Sequence, residues 1–266
     1  MNWDNVQNLG VLPPQMKVLV VGGSKGSFIM RCIWIPTIRR IAELQLAYAC
    51  PSREKGPSAR FAKVNYMKRN NVSHNFSVIV RKALNEVGAK NLIVCIAVGT
   101  KGHAELIMQA ARLGVQYIVC DKPATEDCAQ LAEVLKVVKK TGTKVWITFN
   151  HRFNAGVHWL KAKVAAELAA GRSVTIEGGF DQSWLNGDTT SQQAVSRLSH
   201  VNCTINDLGT HVFDLVQYIA GSPIVGVYNG VVSHGLAGQY EHIITGGKCN
   251  FQCSDTRITG SGSCDQ

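Results

Sequence analysis

Asp207 and His211 lie four residues apart in Asn206-Asp207-Leu208-Gly209-Thr210-His211, and side chains at that spacing are neighbours on a helix. A carboxylate beside an imidazole can fix the ring's tautomer and raise its basicity. Well upstream, in Cys120-Asp121-Lys122-Pro123, a lysine follows an apolar run that reads as a buried strand. An ammonium in that place can hydrogen-bond a substrate hydroxyl and hold negative charge developing on its oxygen. The three side chains together make a proton-transfer set. Each has a plainer reading: Lys122 as a surface lysine, His211 as a satisfied core histidine, and Asp207 as a helix N-cap. Asp214, on the same expected helix, is read as structural.

The elements that would position these residues alternate. Met16-Lys17-Val18-Leu19-Val20-Val21, Leu44-Gln45-Leu46-Ala47-Tyr48-Ala49-Cys50, Leu92-Ile93-Val94-Cys95-Ile96-Ala97-Val98, Gln116-Tyr117-Ile118-Val119-Cys120 and Lys144-Val145-Trp146-Ile147-Thr148-Phe149 read as strands. Helices are expected at 27–43, 78–87, 103–113 and 126–140. Continuous apolar strands alternating with helices predict an α/β domain with a parallel, doubly wound sheet over residues 1–150. Such a sheet brings the loop after each strand to one edge, where ligands bind. The residues to inspect are therefore those just after the strands, at 22–27, 50–53, 99–103, 121–123 and 150–152.

Beyond residue 150 the pattern changes to a helix at 154–170, a strand at 174–180 and a long polar loop containing Trp184. The helix bearing Asp207 and His211 follows, then strands at 225–232 and 241–245 and a weaker one at 250–258. This predicts a smaller α+β domain over 151–266 with an open, mainly antiparallel sheet.

Gly22-Gly23-Ser24-Lys25-Gly26-Ser27 follows a strand and opens a helix, the context required of a pyrophosphate-binding loop. Serine occupies two of the glycine slots of G-x-G-x-x-G, so a plain strand-to-helix turn is the competing reading. After the second strand, an acidic residue would receive the ribose hydroxyls of NAD. Here Cys50-Pro51-Ser52-Arg53 offers a hydroxyl and a cation, which suits a 2′-phosphate and predicts NADP over NAD. Arg53 as a mere surface charge is the alternative.

Composition narrows the classes. With 266 residues, 45% hydrophobic and 17% charged, the chain can bury a sizeable core and reads as globular. No apolar stretch would span a bilayer, and Met1-Asn2-Trp3-Asp4-Asn5 lacks a secretory layout, so no membrane association and a cytoplasmic location are expected. The net charge of +10 comes from scattered Lys and Arg without a basic stripe, so no nucleic-acid partner is expected. That field would favour an anionic cofactor. The nine cysteines are odd in number and form no CxxC pair, so neither a disulfide framework nor a metal site is expected. Cys50, Cys95 and Cys120 read as small strand hydrophobes.

Taken together, these motifs resemble the Gfo/Idh/MocA family, the relatives of glucose–fructose oxidoreductase and inositol dehydrogenase. Its E-K-P motif is matched by Asp121-Lys122-Pro123 and its D-x-x-x-H pair by Asp207 and His211. Its T-P-x-x-x-H segment corresponds to Val98-Gly99-Thr100-Lys101-Gly102-His103, and its closing Rossmann run resembles Phe149-Asn150-His151-Arg152-Phe153-Asn154. Gln182-Ser183-Trp184-Leu185 onward is similar to a substrate-side loop. The resemblance covers residues 16 to 232.

It implies a Rossmann domain followed by a domain whose open sheet serves oligomerisation, as a homodimer or homotetramer. It also implies NADP- or NAD-dependent hydride transfer with a secondary alcohol or ketone of a sugar, inositol or related small molecule. Lys122, Asp207 and His211 inherit the catalytic positions. Arg152 and Trp184 join them on the substrate side, while Val98, Gly99, His103, Asp121 and Lys122 join the glycine loop around the cofactor. A non-catalytic NADP-binding regulator and an imine or enone reductase are the alternatives. The departures are Asp121 for glutamate, Gly99 for proline and a serine-substituted loop. The residues from Thr259 to Gln266 read as a turn, so the second domain is expected to be short.

Overall fold

Val18 and Val20 pack towards Ile38, while Leu19 and Val21 face the opposite way into a larger cluster with Ile79, Val94, Ile96, Ile107 and Ile118. Side chains alternate across a strand, so a run buried on both faces must be apolar throughout. That explains the unbroken hydrophobic strands. The computed structural model describes residues 16–22, 35–40, 44–50, 76–181, 208–233 and 246–265. It divides into two units, Met1–Ile147 and Thr148–Gln266.

In the first unit the elements run β1 (Met16–Gly22), α1 (Ile35–Arg40), β2 (Leu44–Cys50), α2 (Phe76–Val87), β3 (Leu92–Ala97), α3 (His103–Arg112), β4 (Tyr117–Asp121), α4 (Cys128–Thr141) and β5 (Lys144–Thr148). The sheet order is β2-β1-β3-β4-β5, and the β1–β2, β1–β3 and β3–β4 pairs are parallel. This is the doubly wound sheet expected from the sequence. Of the helix expected over 27–43, residues 35–40 are helical. Helix α4 starts at its N-cap Asp127, whose side chain accepts the Gln130 N–H at 2.7 Å, and stops at Gly142 with φ 70°. Cys95 and Cys120 are buried, and burial pushes both thiols up. They serve as core residues.

The second unit continues with α5 (Ala155–Ala169), β6 (Val174–Asp181), α6 (Thr210–Ala220), β7 (Ile224–Ser233), β8 (Gly246–Cys253) and β9 (Ile258–Asp265). Its sheet order is β6-β9-β8-β7, with β7–β8 and β8–β9 antiparallel and β6–β9 parallel. Two details correct the sequence reading. The segment expected as a turn, from Thr259 on, is part of β9, an interior strand bonded to β6 and β8. The weak strand expected at 250–258 instead divides between β8 and β9, around the bend at Ser254–Arg257. The strand expected at 241–245 lies outside the described residues.

Glycine and serine made β9 look like a turn, but packing is what selects them. A Cβ on Gly260 would stand 1.8 Å from the Ile176 carbonyl oxygen and 2.7 Å from the Phe251 ring. A Cβ on Gly262 or Gly178 would stand 3.1 or 3.2 Å from Val212 of α6. The small residues let α6 settle onto the sheet, so that Val212, Val216 and Ala220 bury with Phe251, Cys253 and Ile258.

The two kinds of contact predict different costs. Gly260→Ala must displace main chain and should destabilise the unit by roughly 3 kcal/mol, at the upper end for overpacking. Gly262→Ala meets only a valine methyl and should cost about 1 kcal/mol or less. Urea unfolding of both variants checks this; equal midpoints would refute the packing account.

Candidate functional site

The parallel register places the ends of β1, β3 and β4 side by side, with Gly22 opposite Ala97 and Ile96 opposite Cys120. In this strand order, the β1–β3 boundary is where chain connections diverge to either side, and it is the ligand crevice of doubly wound sheets. Gly22 closes β1 with φ 134°, and a Cβ there would stand 2.2 Å from the Ala97 carbonyl oxygen. Only glycine fits that conformation and that approach. The first glycine of a dinucleotide loop occupies this strand-end place, so Gly22 fits a bound dinucleotide.

The next loop carries Val98 and Gly99. Gly99 has φ −68° and ψ 148°, and a Cβ there would meet nothing within 4 Å. Those angles are proline's own, so the glycine replaces a proline without demanding a different backbone. Gly102 lies against Val98, whose Cγ2 would be 3.1 Å from an added Cβ. His103 begins α3 and is 1% exposed. Its Nδ1 is 2.6 Å from the Pro123 carbonyl oxygen and its Nε2 is 3.1 Å from that of Val98. The sequence reading put His103 among the cofactor contacts. The structure turns both ring nitrogens to main chain instead and leaves almost none of the ring accessible.

After β4, the Asp121 carboxylate accepts the Lys122 N–H at 2.9 Å, and the Lys122–Pro123 peptide is cis. Asp121, expected near the cofactor, therefore braces the lysine's backbone. The Lys122 side chain is partly exposed.

In the second unit, His211 lies in the first turn of α6 and is 8% exposed. The α-helix starts at Thr210, and Asp207 lies outside the described residues. The His211 ring meets His151 edge to face, with centroids 4.7 Å apart, and Phe149 at 6.1 Å. His151 escaped the sequence reading, although it sits in the strand-end segment 150–152. No helical spacing links it to His211, so only its place after β5 could have marked it.

Arg152, expected to contact substrate, binds Asp214 instead. Its Nε donates to Oδ2 at 2.7 Å and its Nη2 to Oδ1. Its guanidinium carbon lies 5.5 Å from the centre of the Phe149 ring and 5.3 Å from that of Tyr218. Burial pushes the Asp214 carboxyl up, the Arg152 bonds pull it back, and the net displacement is upward. The fork ties the 3₁₀ turn Asn150–Phe153 to α6. Gly23, Ser24, Lys25, Gly26, Ser27, Ser52, Arg53 and Trp184 lie outside the described residues. Among the described residues no group of His, Cys, Asp and Glu could hold a metal ion, and no helix is long and apolar enough to cross a membrane.

Comparison with known proteins matches residues 17–149 to the sequence model of an oxidoreductase family with an NAD-binding Rossmann fold, GFO_IDH_MocA. The chain is 27% identical over 152 residues to the myo-inositol dehydrogenase Hyg17 of Streptomyces leeuwenhoekii, covering 57% of this chain and 44% of that protein. The curated relatives are matched over less than half of their own length. Among solved structures, the myo-inositol 2-dehydrogenase of Lactobacillus plantarum superposes with a TM-score of 0.69 at 18% identity, covering 94% of this chain and 69% of that one. The super-repressor mutant of Gal80p from Saccharomyces cerevisiae gives 0.75 at 13% identity, covering 95% and 68%. At these identities the structural likeness establishes the fold.

The Arg152–Asp214 fork is testable by a double-mutant cycle. Removing one partner of a buried pair strands the other, so Arg152→Met and Asp214→Leu should each cost about 3 kcal/mol or more. The double variant should cost clearly less than the sum. Additive losses in denaturant unfolding would show that the two side chains are not coupled.

Proposed function

The chain belongs to the Gfo/Idh/MocA oxidoreductase family, and from that premise we propose that it interconverts a secondary alcohol and a ketone on a polyol of the inositol or sugar class. The observation that carries this reading is the edge of the first sheet, where Gly22 ends β1 and Gly99 and Lys122 follow the adjacent parallel strands β3 and β4. We assign NADP as the preferred cofactor, with NAD as the other candidate, on the strength of Ser52 and Arg53 after β2. Bound nicotinamide would accept or return the hydride.

The chain's own residues supply the proton chemistry. Lys122 hydrogen-bonds the reacting oxygen and holds negative charge as it develops there. His211 takes the hydroxyl proton during oxidation and returns it during reduction. Asp207 orients that imidazole. Within the second unit, Phe149 and His151 pack against the His211 ring and restrict its rotation. Arg152, committed to Asp214, supports this wall of the site, and Trp184 contacts substrate. Val225, Val227 and Val231 of β7 are each more than half exposed. We read that apolar face as a subunit contact of a homodimer or homotetramer.

A second reading, an NADP-binding regulator without turnover, is raised by the fold shared with Gal80p. Activity separates the two. Lys122→Ala and His211→Ala should each lower NAD(P)-linked oxidation of myo-inositol or a related polyol by about 100-fold or more. Unchanged rates in both variants would remove the assignment. NADPH binding without turnover by the native chain, across a polyol and keto-sugar screen, would establish the regulator.

The cofactor assignment has its own test. Arg53→Asp should raise the Kd for NADPH by roughly 10- to 100-fold, the value of a charge-assisted hydrogen bond, and leave NADH much less affected. Equal weakening of both cofactors would contradict the 2′-phosphate contact.

A further inference from the structure

The backbone around Lys122 is held from both sides. The Asp121 carboxylate accepts the Lys122 N–H at 2.9 Å, and the carbonyl oxygen of Pro123, the next residue, meets His103 Nδ1 at 2.6 Å. Asp121 belongs to the same strand end as Lys122, so that bond is local. The His103 contact reaches across from the first residue of α3, and the ring is 1% exposed, out of competition with water. From the structure we infer that His103 is a positioning residue: through Pro123 it fixes the point from which the Lys122 side chain leaves the sheet edge.

At 2.6 Å an unprotonated Nδ1 would place its lone pair against the lone pairs of the Pro123 oxygen, so the proton belongs on Nδ1. The Val98 oxygen lies 3.1 Å from Nε2, the longer of the two contacts. The shorter one runs to the lysine loop. A buried carbonyl that loses its donor keeps the full penalty of an unsatisfied polar group, enough for the loop to rearrange towards another donor. Such a movement would carry Lys122 with it.

The two nitrogens can be tested separately. Asparagine's side-chain amide nitrogen substitutes for Nδ1, glutamine's for Nε2, and leucine fills the space with neither. The readout is the NMR resonance of Lys122 in the full chain after reductive ¹³C-methylation of its lysines, identified by its absence in Lys122→Arg. His103→Asn should keep the native Lys122 resonance, whereas His103→Gln and His103→Leu should displace it. At saturating polyol and NADP, kcat should follow the same order. The leucine variant should fall roughly 100-fold, as for a displacement of about 1 Å, while its Kd for NADPH stays near native.

The inference rests on Lys122 as the oxygen-polarising residue only for its kinetic half. If the native chain turned over no substrate, that reading would fail and the resonance would still report on the loop. A native Lys122 resonance in His103→Leu would overturn the positioning role. So would equal displacement in the asparagine and leucine variants. Equal losses of kcat and of NADPH affinity would show general loosening of the unit instead.

Discussion

Parallel pairing of β1 with β3 and of β3 with β4 is the constraint on which the first unit depends. It forces the segments after these strands to emerge along one edge, with Gly22 level with Ala97 and Cys120 level with Ile96. The main chains come so close that a methyl group at Gly22 would overlap the Ala97 carbonyl. Chemistry follows from this closeness because the residues beyond the strand ends need not be adjacent in sequence to be neighbours in space. His103 shows the effect: one buried ring touches the segments after both β3 and β4.

In the second unit the corresponding constraint is the approach of α6 to its sheet. Gly178 and Gly262 leave room for Val212, and the helix can then bury Val216 and Ala220 as well. His211 is part of the same helical turn as Val212, so the apolar packing of that turn helps to set its location. The Arg152–Asp214 fork adds orientation. Because burial of the Asp214 carboxyl outweighs the pull of its partner, the pair is better viewed as fixing the 150–153 turn than as a large source of stability.

Much of the first unit was legible because its strands are buried on both faces, which writes an unbroken apolar run into the sequence. Lys122 drew attention for the same reason, because it follows directly after such a run. The second sheet was harder to read. Its interior strand β9 is built from Gly260, Ser261, Gly262 and Ser263, residues chosen for close approach, and composition alone cannot separate that use from a turn. His103 and Arg152 were recognised as belonging to the strand-end segments, but their partners were not. Pro123 is distant in sequence from His103, and Asp214 from Arg152; each becomes its partner's neighbour only through the fold, the first as a main-chain carbonyl with no sequence signature at all. His151 escaped for a related reason, since its neighbour His211 lies on a different element.

The most direct measurement is hydrogen exchange by mass spectrometry of the full chain, with and without saturating NADPH. If the edge of the first sheet holds the dinucleotide, slowed exchange should concentrate in peptides covering residues 20–27, 97–103 and 120–124, and the backs of α2 and α4 should be unaffected. Binding of NADPH with unchanged exchange in those peptides, or protection confined to the second unit, would contradict the account.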